Sequence, residues 1–506
     1  MLDGCVPWPE ELAERYRREG YWQGKTLDTL ITEADRSKVA LVAADGRRWT
    51  YGELDAWIAR VAAGLSEVVR PRERVVLQLP NVPEFVVALF ALLRVGALPV
   101  LALPAHRESE IVPLCRLSEA AAYVITGEFA ALGKIVRESV PSVREVIEIL
   151  PEAEPVELPE PDPADVALFL LSGGTTGTPK LIPRTHNDYL YNARASAEVS
   201  GFTEDTVYLV ALPAAHNFAL ASPGLLGAFA AGGTVVLAPD PSADSVFELI
   251  EREKVTATGV VPPVALLWMD AAEFADEDLS TLELLQVGGA KFNADPASRV
   301  RETLGCGLQQ VFGMAEGLLN FTRLDDPEEL IVTTQGRPLC PADEVRVLEG
   351  GELLTRGPYT LRGYYRAEEH NARSFTEDGF YRSGDLVRQL PSGHLIVEGR
   401  VKDQINRGGE KIPAEELENH LVAHPDVHDA AVVGMADEVM GERTCAFLLV
   451  KGTAPGLREV KAFLRERGVA EFKLPDRIEV LDEFPLTKVG KVSKAALTRL
   501  LAGTPE

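Results

Sequence analysis

The segment from Val75 to Ala102 constrains the fold more than any other part of the chain. Val75-Val76-Leu77-Gln78-Leu79 is strand-like, Pro83 opens an apolar stretch that runs to about Val95, Gly96 is placed to end it, and Leu98 to Ala102 is strand-like again. Proline suits the first turn of a helix and glycine the position just past its end. Strand, helix and strand joined by short connections make a βαβ unit, the signature of a parallel sheet covered by helices. The apolar run Phe85 to Leu93 is too short to span a bilayer and reads as a buried helix.

The same alternation returns between Val207 and Val261. It predicts strands at Tyr208–Leu212, Thr234–Leu237 and Thr256–Val261, a small-residue helix to about Ala231, and a helix over Ser245–Arg252. The first 70 or so residues read as helical, with apolar spacing from Leu12 to Tyr21 and from Leu54 to Val69. Val345 to Leu354 reads as an antiparallel hairpin around Glu349-Gly350-Gly351. From Asp403 the pattern becomes shorter and mixed. A chain of 506 residues exceeds a single domain. The expected division is a core over 1–398, a hinge over 399–402 and a small C-terminal domain over 403–506. The formal charge of −26 disfavours a nucleic-acid partner or an anionic membrane surface. Cys5, Cys115, Cys306, Cys340 and Cys445 are scattered without CxxC spacing, which argues against a disulfide framework or zinc site and suits a cytoplasmic setting.

The chemistry concentrates first at Ser172-Gly173-Gly174-Thr175-Thr176-Gly177-Thr178-Pro179-Lys180, directly after the apolar strand Val166–Leu170. Glycines leave backbone N–H groups free, and hydroxyls and a lysine add donors, so the loop can wrap a polyphosphate. It does not match the P-loop pattern GxxxxGK[ST]. Four further motifs follow in order: Phe312-Gly313-Met314-Ala315-Glu316-Gly317, Tyr381-Arg382-Ser383-Gly384-Asp385, Gly399-Arg400-Val401-Lys402-Asp403, and Pro485-Leu486-Thr487-Lys488-Val489-Gly490-Lys491.

In this loop and these four motifs the chain resembles the adenylate-forming superfamily of acyl-CoA synthetases, luciferases and nonribosomal peptide adenylation domains. Ser383 replaces the usual threonine of its motif. The resemblance implies an α/β fold in which a large N-terminal domain holds two α/β sheets and a small β-barrel, followed by a smaller, mobile α+β C-terminal domain. It implies ATP and Mg2+ as partners in catalysis. Ser172, Gly173, Gly174, Thr175, Thr176, Gly177 and Lys180 would hold the phosphates, and Gly289, Val311, Phe312 and Gly313 would flank the adenine with Gly288. Asp385 would take the ribose hydroxyls, Arg400 the ribose or phosphate, and Glu316 the metal. Lys491 would be the catalytic cation and Lys402 the hinge.

Pro213-Ala214-Ala215-His216-Asn217-Phe218, followed by Ser222-Pro223-Gly224, narrows the resemblance, as do the stretches from Gln286 to Phe292 and from Gly313 to Leu324. They are similar to stand-alone aryl-acid adenylating enzymes of siderophore biosynthesis, the 2,3-dihydroxybenzoate-AMP and salicylate-AMP ligases. His216 would face the carboxylate and phosphate, and Asn217 the ortho hydroxyl. Phe218, Ser222, Gly288, Ala315 and Leu319 would complete the acid pocket. Ser222 leans toward 2,3-dihydroxybenzoate and Leu319 toward salicylate. No carboxylate stands where amino-acid-activating relatives hold the substrate ammonium, and no Leu-Gly-Gly-x-Ser carrier motif occurs. The expected acceptor is therefore a separate phosphopantetheinylated aryl carrier protein. The alternatives are an aryl- or acyl-CoA ligase and a non-catalytic nucleotide-binding scaffold.

Overall fold

The computed structural model describes residues 1–172, 180–407, 410–437, 440–467, 469, 471–487 and 491–501. By packing, the chain forms two compact units. One comprises Met1–Val345, Thr355–Tyr381 and Pro391–Leu395, and the other Arg346–Leu354, Arg382–Leu390 and Ile396–Glu506.

The first unit is built on two sheets. The βαβ segment lies in a six-stranded sheet whose order is Glu145–Ile147, Ala122–Ile125, Arg74–Gln78, Leu98–Leu101, Val166–Leu171, Leu181–Thr185. Its strands are parallel except for the last, which pairs antiparallel with Val166–Leu171. The Pro83–Val95 helix buries every residue except Glu84 and Arg94, as a helix apolar on all sides must. Arg94 answers Asp28 and Asp55, each at 2.8 Å.

The second sheet has nine strands. At its centre Gly307–Gly313, Leu284–Gly288, Ala257–Val260, Val207–Val210 and Thr234–Leu237 lie side by side and parallel. Leu319–Phe321 then turns back antiparallel on Gly307–Gly313. Parallel strands put all their C-terminal ends on one edge, where α/β folds bind ligands. Four of these ends lead into His216-Asn217-Phe218, Val261, Gly288-Gly289 and Phe312–Glu316.

The structure differs from the sequence expectation in two places. The N-terminal stretch is not all helical: Val39–Val42 and Arg48–Thr50 pair as a hairpin, and the former also pairs with Thr234–Leu237. The Asp45-Gly46 turn between them is the local signal, with Gly46 at φ 88°. The small-residue helix is two helices, Asn217–Ala221 and Gly224–Ala230. Pro223 divides them, because it has no N–H to give the Asn217–Ala221 helix.

Glu344–Val347, Glu352–Arg356, Tyr381–Gln389 and Leu395–Arg400 follow one another as a four-stranded sheet, most of whose residues belong to the second unit. The expected hairpin forms its first pair. By packing, this sheet groups with the C-terminal residues. Beyond it, Gln404–Arg407, Glu410–Pro413, Val427–Asp437 and Gly441–Val450 form an antiparallel sheet, and Arg477–Val480 adds a parallel strand. The Ala414–Val422 and Leu457–Glu466 helices share an apolar core with it through Leu417, Leu421, Val460 and Leu464. All five cysteines are free. Among the described residues, no helix is long and apolar enough to cross a membrane.

Candidate active site

The glycine- and threonine-rich segment is flanked by Val166–Leu171 and Leu181–Thr185, which pair antiparallel. Ser172 N–H donates to the Lys180 carbonyl at 3.0 Å, and Lys180 N–H donates to Ser172 Oγ at 3.1 Å, closing its base. Gly173, Gly174, Thr175, Thr176 and Gly177 lie outside the described residues. Lys180 Nζ stands 5.4 Å from the ring centroid of Tyr364. The Tyr364 hydroxyl donates to Glu316 Oε1 at 2.8 Å and lies 2.9 Å from the Tyr381 hydroxyl. The loop's lysine and Glu316 thus share one tyrosine. Burial and the Glu316 carboxylate raise the pKa of Tyr364 far above its ordinary value, so its hydroxyl remains a donor. A carboxylate oriented by a neutral donor keeps lone pairs for a hard cation, which fits Mg2+.

The Asn217–Ala221 helix begins a few residues beyond the Val207–Val210 strand. His216 caps it: Nδ1 accepts the Phe218 N–H at 3.3 Å. A neutral imidazole accepting at Nδ1 carries its proton on Nε2, a donor suited to an anion. Phe218 lies over the floor of the sheet. A Cβ on Gly288 would come 3.0 Å from Phe218 Cζ and 2.8 Å from the Val311 carbonyl, so only glycine admits the ring there. Likewise, a Cβ on Gly313 would come 2.3 Å from Leu319 Cδ2. Gly313 and Leu319 are direct partners in antiparallel register, and Val311 partners Gly288 in the parallel pair beside them. Ser222 is buried, with Oγ 3.5 Å from the Asn217 carbonyl. Gly289 ends its strand at φ 79°, and Phe312 and Ala315 remain part exposed.

Several residues of this region carry no signal in the sequence. Tyr189 donates to Asn217 Oδ1 at 2.8 Å. Arg184, 1% exposed, pairs with Asp188 at 2.8 Å and donates to the Ala315 carbonyl at 2.9 Å. Tyr359 accepts the Leu319 N–H at 3.1 Å and donates to Asp343 Oδ2 at 2.7 Å. Asp343 itself is part exposed, but its Oδ1 is buried and lacks a hydrogen-bond partner. Each is an ordinary tyrosine, arginine or aspartate until the fold brings it beneath the site.

That carboxylate carries a test. Burial pushes the Asp343 pKa up to about 7, partly offset by the hydrogen bonds from Tyr359 and the Cys340 N–H. A raised carboxylate pKa means that ionisation is harder in the folded state. The folded state is therefore unpenalised below about pH 4 and loses stability as pH rises toward 7, by about 1.4 kcal/mol for each pH unit climbed. Asp343→Asn, which cannot ionise, is expected to exceed the wild type in thermal midpoint at pH 8 by more than it does at pH 5. An equal difference at both pH values, measured by differential scanning calorimetry, would contradict this.

In the second unit Asp385 and Arg400 meet. Asp385 is 4% exposed, and Arg400 Nε lies 2.9 Å from its Oδ1. Burial raises the Asp385 pKa, while the charges of Arg400 and Lys491 and a hydrogen bond from Ser383 oppose the rise. Ser383 Oγ accepts the Asp385 N–H and donates to the Leu353 carbonyl, both at 3.0 Å, so the serine supplies the hydroxyl this turn uses. Lys491 is exposed; its carbonyl accepts the Thr487 N–H at 2.6 Å and its N–H donates to Thr487 Oγ1 at 3.1 Å. Lys402 lies in the short helical turn Val401–Asp403.

Comparison with known proteins identifies the family. The AMP-binding enzyme family matches residues 32–365, and the AMP-binding enzyme C-terminal domain matches residues 416–491. The 2,3-dihydroxybenzoate-AMP ligase of Bacillus subtilis (strain 168) is 55% identical, covering 99% of this chain and 99% of its own. The salicyl-AMP ligase / salicyl-S-ArCP synthetase of Mycobacterium tuberculosis is 47% identical over 99% of this chain and 95% of its own. Among solved structures, apo MbtA of Mycobacterium smegmatis is 49% identical, covers 98% of each chain and superposes with a TM-score of 0.77. With both family domains matched in order, the chain belongs to the AMP-binding enzyme family, within the adenylate-forming superfamily.

Proposed function

We propose that the protein adenylates a 2-hydroxy aryl carboxylic acid, of salicylate or 2,3-dihydroxybenzoate type, and passes the acyl group to the phosphopantetheine thiol of a separate aryl carrier protein. The observation that carries the reading is the trio of His216, Asn217 and Phe218 at the C-terminal edge of the parallel sheet. It offers an imidazole, an amide and an aromatic wall, and none of the three is a carboxylate that could receive an amino group.

In the first half-reaction a carboxylate oxygen of the acid bonds to the α-phosphorus of ATP, and the bond to the pyrophosphate oxygen breaks. Both reactants are anions, so the protein's task is alignment and neutralisation of charge. Phe218 packs the ring, Asn217 addresses its ortho hydroxyl and His216 donates toward the anionic oxygens. Lys180 and the glycine- and threonine-rich segment before it receive the phosphates. Asp385 accepts from the ribose hydroxyls, with Arg400 paired to it. Glu316 would hold Mg2+, which when bound adds positive charge at the phosphates. Lys491 brings the remaining cation to the reacting oxygens. In the second half-reaction the thiol loses its proton, its sulfur bonds to the acyl carbon, and AMP leaves. Lys491 is not needed for that step, so the C-terminal domain is free to turn about Lys402 and present another face.

ATP–pyrophosphate exchange that depends on an added aryl acid tests the reading. Exchange is expected with salicylate and 2,3-dihydroxybenzoate; its absence with every aryl acid would contradict it. Thioester formation on a phosphopantetheinylated carrier, compared with coenzyme A, separates the carrier-loading reading from the CoA-ligase alternative.

A further inference from the structure

Tyr189 is wholly buried in the His186–Val199 helix, and its hydroxyl donates to Asn217 Oδ1 at 2.8 Å. The Arg184 guanidinium stands 4.6 Å from its ring centroid. Arg184 is held in turn by Asp188 at 2.8 Å and by the Ala315 carbonyl at 2.9 Å. One buried cluster thus braces two walls of the acid pocket, Asn217 and Ala315. Burial raises the Tyr189 pKa above its ordinary value, so the phenol keeps the proton it donates.

The direction of that bond fixes the Asn217 amide. With Oδ1 taken by Tyr189, the amide offers its NH2 group to whatever enters the pocket. Rotating the amide by half a turn would place NH2 against the phenol. The buried phenolic proton would then lose its Asn217 acceptor and face a second donor, a costly state inside the protein.

We propose that Tyr189 is a specificity-determining positioning residue: it holds Asn217 as a hydrogen-bond donor, so that the pocket takes an aryl acid whose ortho substituent accepts a hydrogen bond and rejects one whose ortho substituent donates. This rests on the reading of the Asn217 region as the acid pocket. In salicylate the ortho hydroxyl gives its proton to the neighbouring carboxylate and turns an oxygen lone pair outward, toward an NH2 donor. In anthranilate one amino N–H bonds the carboxylate in the same way, and the second N–H points outward. Its nitrogen lone pair is delocalised into the ring. Donor then faces donor, and both lose the hydrogen bonds that water had given them.

The test is ATP–pyrophosphate exchange by the full chain with salicylate and with anthranilate, for the wild type and for Tyr189→Phe. The wild type is expected to favour salicylate by about tenfold or more in kcat/KM, the size of one satisfied against one opposed buried hydrogen bond. In Tyr189→Phe the amide is released, and the ratio is expected to fall by about tenfold through the KM values of the acids, with the KM for ATP unchanged. A wild-type ratio near one, or an unchanged ratio in Tyr189→Phe, would overturn the proposal. Should Tyr189→Phe fail to fold, Asn217→Asp serves instead: it keeps an acceptor for Tyr189 and turns a second acceptor to the acid. Its ratio is expected to shift toward anthranilate, and an unshifted ratio would overturn the proposal. Wild-type protein that exchanges with neither acid would instead bring down the aryl-acid reading, and this proposal with it.

Discussion

Lys491→Ala is expected to slow aryl-adenylate formation by about a hundredfold to a thousandfold while leaving transfer from supplied aryl-AMP to the carrier thiol within a few-fold of wild type. The magnitude is that of removing one preorganised charge from a phosphoryl-transfer site. The residue is suited to that role. It is exposed, its backbone is bonded twice to Thr487, and its charge already acts on Asp385. Single-turnover formation of aryl-AMP and, separately, thioester formation from preformed aryl-AMP would measure the two steps. Equal losses in both would contradict the assignment.

Lys402→Pro is expected to give the mirror result, with thioester formation falling by about tenfold to a hundredfold and adenylation nearly spared. Proline fixes φ near −65° and removes the backbone N–H. At Lys402, in the short turn Val401–Asp403 between the Leu395–Arg400 and Gln404–Arg407 strands, that restriction acts on the backbone and leaves Asp385, Arg400 and Lys491 chemically unchanged. The same two single-turnover assays apply. A variant that lost adenylation as severely as thioester formation would show that Lys402 serves the active site rather than the turn.

Sequence legibility follows the physics of each element. The Pro83–Val95 helix is readable because proline, an apolar run and glycine all agree locally, and the structure buries it as expected. The Thr234–Leu237 strand likewise lies at the expected residues. Val39–Val42 escapes a local reading because a short strand carries little signal and is settled by its pairing with Thr234–Leu237, nearly 200 residues away. The residues that would touch ligand come with motifs, so Glu316, Asp385 and Asn217 can be named from sequence. The residues that hold them cannot. Tyr189, Arg184 and Tyr359 reach Asn217, Ala315 and Leu319 from other elements, and Tyr364 reaches Glu316 across 48 residues. No spacing rule connects such pairs, because they become neighbours only after the sheets are packed. The split of the helix at Pro223 is a different case, since proline in a helical pattern is a stop signal and the break is legible there.

Asn217 is the residue on which the substrate reading turns: it would read an ortho hydroxyl on the aryl acid that this protein adenylates. The decisive comparison is the rate of aryl-AMP formation from ATP and Mg2+ with salicylate and with benzoate, detected as the adenylate itself by mass spectrometry. Aryl-AMP is expected from salicylate with kcat/KM at least about tenfold above that for benzoate, because bound benzoate leaves the Asn217 NH2 without an ortho acceptor. Equal use of the two acids would contradict that role for Asn217.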